Sequence, residues 1–166
     1  MADTLKQRAA HIVKLARERR MTLATVESCT AGTLANLLSQ GEGASNVLHG
    51  GFIVYTKENK TASVGVPSEL IERHTAVSAE VAQAMASGGL KRCPASIVVS
   101  ITGVAGPEPD EDGNPVGLVF VGVATSDGRT KTLRHDLGKQ DKDALCHCAM
   151  DSALDLVEEM LLAHVP

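Results

Sequence analysis

Met21-Thr-Leu-Ala-Thr-Val-Glu-Ser-Cys-Thr-Ala-Gly32 is the stretch on which the reading of this chain turns. Met21 to Val26 is apolar enough for a buried strand, and the residues then become small, polar and hydroxylated just before Leu34, Leu37 and Leu38 take up helical spacing. Thr30 stands where an N-cap is expected. Ser28 falls at the strand-to-helix turn, where its hydroxyl meets backbone N–H groups with no partner inside the helix; such groups suit a phosphate or a developing oxyanion. Glu27, Ser28 and Thr30 would serve equally well as plain capping residues, and the pattern alone does not separate the two uses.

Outward from that stretch the chain alternates. Asp3 to Arg20 carries Leu5, Ala9, Ile12, Val13 and Ala16 at helical spacing, with Arg17, Arg19 and Arg20 at the end where cations suit the helix dipole. After Ser28 a helix is predicted to about Gln40, closed by Gly41-Glu-Gly43, with a short break over Asn46 to Gly51. Gly51 to Thr56 reads as a second strand, followed by a helix from Lys57 towards Val64, another opened by Pro67, and a third capped by Ser78 that ends near Gly88-Gly89. Ala95 to Ile101 is a continuous β-branched run, as in a central strand covered on both faces. It ends in Thr102-Gly-Val-Ala-Gly-Pro107, a tight turn where backbone can approach a ligand, and the acidic Glu108 to Asn114 then reads as a solvated loop. Val116 to Thr125 and Thr130 to Leu137 form a hairpin around Ser126-Asp-Gly-Arg129, and a last helix runs from about Lys139 to His164. The order predicts a single domain over residues 1–166: a three-layer α/β/α sandwich on a mixed, mostly parallel sheet of about five strands.

Composition narrows the function. A 166-residue chain with 43% hydrophobic and 22% charged residues supports one buried core. Its net charge of −4, with no Trp, one Tyr and two Phe, argues against a nucleic-acid partner, which calls for a basic face and stacking platforms. No apolar run approaches the roughly 18 residues needed to span a bilayer and the N-terminal MADTLKQRAAHIVK is charged throughout, so no membrane is expected and the chain is placed in the cytoplasm. The four cysteines are too sparse for a disulfide framework, and Cys146-His147-Cys148 lacks zinc-site spacing, so no metal is expected. Self-association into a homo-oligomer is expected of so short and apolar a domain.

Three turns carry unusual chemistry, Ser28 to Thr30, Tyr55 to Lys60 and Thr102 to Gly106, and in such folds strand ends converge on one pocket. A nucleophilic serine needs a base, and none of the six histidines lies in these turns. A lysine whose burial lowers its pKa can fill that role. Lys57 and Lys60 are three apart on one side of a helical turn, so spacing leaves open which points inward; Tyr55 is placed to hydrogen-bond into the same network. Cys29 is a rival nucleophile or a buried thiol.

Ala24 to Gly32, Gly51 to Val66, Val77 to Glu80, Thr102 to Pro107 and Pro115-Val-Gly117 together resemble the C-terminal domain of the competence/damage-inducible CinA family, which also occurs alone as nicotinamide-nucleotide amidohydrolase. The resemblance runs from Leu5 onward. It implies an α/β/α fold and hydrolysis of nicotinamide mononucleotide to nicotinate mononucleotide and ammonia in pyridine-nucleotide salvage, with a small-molecule nucleotide substrate and no cofactor. On that model Ser28, in E-S-C-T-A-G, is the acyl-forming nucleophile, and Lys60, ending the Y-x-x-x-x-K segment begun by Tyr55, is the general base. Glu27, Thr30, Thr102, Gly103, Gly106 and Lys142 are the implied substrate-binding residues.

The chain departs from the family pattern in three places. Ala31 replaces a glycine. Acidic Glu108-Pro-Asp-Glu-Asp112 replaces a glycine-rich loop, with Asn114 in place of a lysine. Gly138-Lys-Gln-Asp-Lys-Asp-Ala-Leu-Cys146 has lost both arginines that open the family's last helix; Lys142 can replace the first only as a point charge. The alternative expectation is therefore a catalytically impaired member that binds a small ligand or a partner.

Overall fold

The computed structural model describes residues 2–163. Its strands are Leu23–Glu27 (β1), Leu48–Ile53 (β2), Ile97–Gly103 (β3), Leu118–Thr125 (β4) and Thr130–Asp136 (β5). The helices are Ala2–Glu18 (α1), Thr33–Ser39 (α2), Lys57–Val64 (α3), Ser68–His74 (α4), Ala79–Arg92 (α5) and Lys142–Leu162 (α6). One sheet runs in the order β2-β1-β3-β4-β5. The pairs β1–β2 and β1–β3 are parallel, while β3–β4 and β4–β5 are antiparallel, so β4 alone opposes the other strands.

Both faces of the sheet are covered, and β3 shows why its sequence is apolar without a break. Ile97, Val99 and Ile101 join the core beneath α1 and α6, whereas Val98 joins the one beneath α3, α4 and α5. Ser100 also faces α5 and donates to the Ala82 carbonyl at 2.6 Å, so its buried hydroxyl is satisfied. β2 is an edge strand whose burial alternates residue by residue, leaving Ile53 exposed.

Several boundaries differ from those read off the sequence. β2 begins at Leu48, three residues before the predicted strand, and Thr56 belongs to the next element as the N-cap of α3, accepting from the Asn59 N–H at 3.1 Å. α5 runs through Gly88-Gly89 to Arg92, because these glycines serve packing and not termination. A Cβ at Gly88 would lie 1.9 Å from the Val64 carbonyl oxygen, and one at Gly89 would lie 2.6 Å from Val26. α3 and the sheet therefore approach α5 as closely as backbone allows. α6 begins at Lys142 with Asp141 as its N-cap; its predicted end at His164 lies outside the described residues. No helix among the described residues is long and apolar enough to cross a membrane.

Parallel register brings three strand ends level. Glu27 pairs with Ile53 on one side and with Ile101 on the other, so Ser28, Val54 and Thr102 emerge together at one edge. The chain leaves β1 through α2 towards β2 but leaves β3 towards β4, and loops diverging from adjacent strands open a crevice between them.

Candidate active site

Local structure at the end of β1 is organised by Glu27. Its carboxylate is fully buried and accepts from the Thr30 hydroxyl at 2.7 Å and from the N–H groups of Gly32, Leu34 and Ala35 at 3.0, 3.1 and 2.8 Å. Thr30 is therefore not the N-cap of α2. That position falls to Gly32, at φ 92°, and the helix start is neutralised by a carboxylate reaching forward from the strand. Glu27 faces away from the crevice, and Thr30 faces a different cavity, so neither lines the one that contains Ser28. Ala31 takes up a φ of 48°, the left-handed conformation that a glycine would adopt freely.

Ser28 is pinned by its own N–H, which donates to the Ile101 carbonyl at 3.0 Å, and the residue is only 7% exposed. Lys60 reaches it from the first turns of α3. The ammonium of Lys60, a residue only 2% exposed, donates to the Ser28 Oγ at 3.1 Å and to the Val54 carbonyl at 2.9 Å. Burial pulls the Lys60 pKa down from 10.5 to about 8; a charge on Cys29 would raise it and the nearby Lys57 lowers it further. In its neutral form the amine keeps its bond to Val54 and offers a lone pair to the serine O–H, the arrangement in which an amine takes a hydroxyl proton.

The ambiguity between the two lysines is resolved by direction. Lys57 pairs instead with the loop after β3, Glu111 at 3.0 Å and Asp112 at 2.8 Å, and its hydrogen bonds to these carboxylates, Asp112 first, hold its pKa above the ordinary value. Cys29 sits beside Ser28, but burial, reinforced by Cys146, pushes its thiol up to about 12. It is a buried thiol with negligible thiolate near neutral pH.

A cavity of about 470 Å³ opens over Ser28 and Lys60. Thr102, Gly103 and Gly106 line it from the β3 turn, and Tyr55 and Lys142 stand at its rim. The Thr102 hydroxyl donates to the Ala76 carbonyl at 2.9 Å, tying the end of β3 to the connection before α5. Tyr55 is 58% exposed and has no hydrogen bond to Ser28 or Lys60, so the structure does not bring it into their network. Lys142 is also exposed and is shared with a second cavity of about 530 Å³ between α2 and α6, where Thr30 and Cys146 lie. Among the described residues no group of three His, Cys, Asp or Glu is disposed to hold a metal ion.

The acidic loop after β3 is largely exposed, as expected of a solvated connection, and it also borders the site. Glu108, Asp110, Glu111 and Asp112 line the Ser28 cavity. The Asp110 carboxylate accepts from the Asp112 and Asn114 N–H groups, and the Asn114 side-chain amide donates to Asp110 at 2.8 Å and to the Thr75 hydroxyl at 3.0 Å. Nothing local in that acidic run signals which way it folds.

Fold and site together define an α/β/α protein with a buried serine–lysine pair where its parallel strands end. The chain belongs to the CinA C-terminal domain family, whose model matches residues 5–161. It is 40% identical over 164 residues to a CinA-like protein of Thermosynechococcus vestitus, covering 98% of this chain and 38% of that one. To a CinA-like protein of Acidobacterium capsulatum it is 38% identical over 160 residues, covering 96% and 37%. The chain thus spans less than two-fifths of the length of these relatives. Among solved structures, the competence damage-inducible protein A of Klebsiella pneumoniae superposes with a TM-score of 0.91 at 30% identity over 97% of this chain and 99% of that one. The competence/damage-inducible protein of Agrobacterium tumefaciens does so with a TM-score of 0.90 at 29% identity over 94% of each chain.

Proposed function

We propose that this chain is an amidohydrolase that cleaves the carboxamide of nicotinamide mononucleotide or a close relative of it, releasing ammonia, as a cytoplasmic step of pyridine-nucleotide salvage. The observation that carries the reading is the 3.1 Å contact between Lys60 and Ser28, made by a lysine that burial brings to a pKa of about 8. Neutral Lys60 takes the Ser28 proton as the Oγ attacks the carboxamide carbon, and the carbonyl oxygen becomes an oxyanion. The N–H of Cys29, which lines the cavity and donates to no backbone carbonyl among the described residues, is the candidate donor to it. Lys60 then passes its proton to the leaving nitrogen, the C–N bond breaks, and ammonia departs from a seryl ester. A water molecule, deprotonated by Lys60, attacks the ester carbon; Ser28 recovers its proton and the carboxylate product leaves. Thr102 lines the wall beside Ser28, Gly103 and Gly106 let backbone approach the substrate, and Tyr55 and Lys142 contact its outer part from the rim.

Ammonia release by the purified protein tests this, with Ser28→Ala as control. Loss of turnover to background supports the reading, and undiminished turnover in Ser28→Ala defeats it. A second reading, a member that binds a ligand without hydrolysing it, is favoured by the acidic loop facing the cavity and by the missing arginines of α6. It predicts no ammonia and a melting temperature that still rises with added nucleotide, because a ligand held only by the folded state stabilises it.

A further inference from the structure

The approach to Ser28 has a pronounced charge imbalance. Five carboxylates line the cavity, Glu58 from α3 and Glu108, Asp110, Glu111 and Asp112 from the loop after β3. Against them stand Lys57, Lys60 and Lys142. Lys57 is already engaged by Glu111 and Asp112, and Lys60 is buried with its Nζ held by the Ser28 Oγ and the Val54 carbonyl. The one remaining cation, Lys142, lies between Asp141 and Asp143 on the first turn of α6. The loop is also built to stay where it is: Asp110 closes its own turn, Asn114 fastens it to Thr75, and Lys57 fastens its tip to α3. Ser28 opens onto this same cavity, so a ligand that reaches its hydroxyl passes the carboxylates.

From this balance we infer that the 108–114 loop is a charge filter, and that the site takes a carboxamide on a cationic ring without a phosphate, such as an N-alkylated or N-ribosylated pyridinium amide, in preference to the phosphorylated form. The inference rests on the amidohydrolase reading and narrows its substrate. A quaternary pyridinium is attracted by the surplus carboxylates. A phosphate dianion is repelled, and each unneutralised carboxylate within about 8 Å weakens its binding roughly tenfold at low salt.

The test separates binding from turnover. Nicotinamide riboside and nicotinamide mononucleotide differ only by the phosphate, and their affinities for the Ser28→Ala protein are measured by calorimetry at low ionic strength with EDTA present. The expected result is a Kd at least tenfold lower for the riboside, a gap that narrows as salt is raised. The Glu58→Gln/Glu108→Gln double variant in the same background should close the gap by tightening the mononucleotide. Equal or tighter binding of the mononucleotide overturns the filter, as does a gap indifferent to both salt and the double variant, or the failure of both compounds to bind. Ammonia release by the unsubstituted protein is scored separately. If the riboside binds preferentially yet neither compound yields ammonia, the hydrolase reading falls and the filter stands.

Discussion

Replacing Lys60 by Met isolates the energetic cost of the buried amine. In the folded chain its pKa falls from 10.5 to about 8, so between those values the unfolded chain holds a proton that the native one lacks. Stability then rises with pH, by up to about 1.4 kcal/mol per pH unit, and the whole effect is about 3 kcal/mol. Below pH 8 both states are protonated and the cost is fully present; as pH rises towards 10.5 it disappears. At 2% exposure Lys60 is hardly screened by solvent, so the figure takes no large discount. Lys60→Met also leaves the Val54 carbonyl without its lysine partner, costing about 1–3 kcal/mol, and for that reason the informative quantity is the slope and not the stability at one pH. Cys29, whose pKa moves the other way, destabilises the native state above pH 9 in both proteins and largely cancels in the difference, because Lys60 is among the lesser causes of its shift. Urea unfolding of both proteins at fixed ionic strength should show the parent gaining about 2 kcal/mol on the variant between pH 7 and pH 9.5. Two curves that stay parallel to within a few tenths of a kcal/mol would refute the placement of Lys60 as a desolvated amine.

The remaining predictions use the same geometry. Plotted against pH, kcat/KM for ammonia release should rise through an apparent pKa near 8 as Lys60 loses its proton, and a profile flat from pH 6 to pH 9 would count against Lys60 as the base. Glu27→Ala strands one hydroxyl and three N–H donors at the start of α2 and should cost at least about 3 kcal/mol in urea unfolding; a loss below about 1 kcal/mol would mean water replaces the carboxylate. Gly88→Ala drives a methyl into the Val64 carbonyl and should destabilise by at least about 2 kcal/mol despite alanine's better helix propensity. Ala31→Gly relieves the left-handed backbone at φ 48° and should raise stability by up to about 1 kcal/mol in the same assay.

How much of this was legible in the chain depends on the range over which each feature is encoded. The β-branched run of β3, the hairpin of β4 and β5, and the Ser78 cap of α5 are local patterns, and they appear where side-chain alternation and turn chemistry put them. The five motifs that carry the family resemblance, those around Ser28 and Tyr55 to Lys60 among them, are local in the same sense. Boundaries slipped where a residue's role depends on something distant: Gly88 and Gly89 resemble a helix stop but exist for the Val64 carbonyl and the sheet.

The site divides along the same line. By itself the sequence determined the layered α/β/α architecture, the two turns that carry the serine and the lysine, and the acidic character of the loop after β3, because periodicity and composition are properties of neighbours along the chain. Only the tertiary structure decided what spacing left open between Lys57 and Lys60, that the N–H groups at the start of α2 take up the Glu27 carboxylate, that Tyr55 stays outside the serine–lysine contact, and that the acidic loop lines the cavity. Those outcomes depend on strand ends brought level across a parallel register and on carboxylates and amines meeting from separate crossovers, distances that no local spacing encodes.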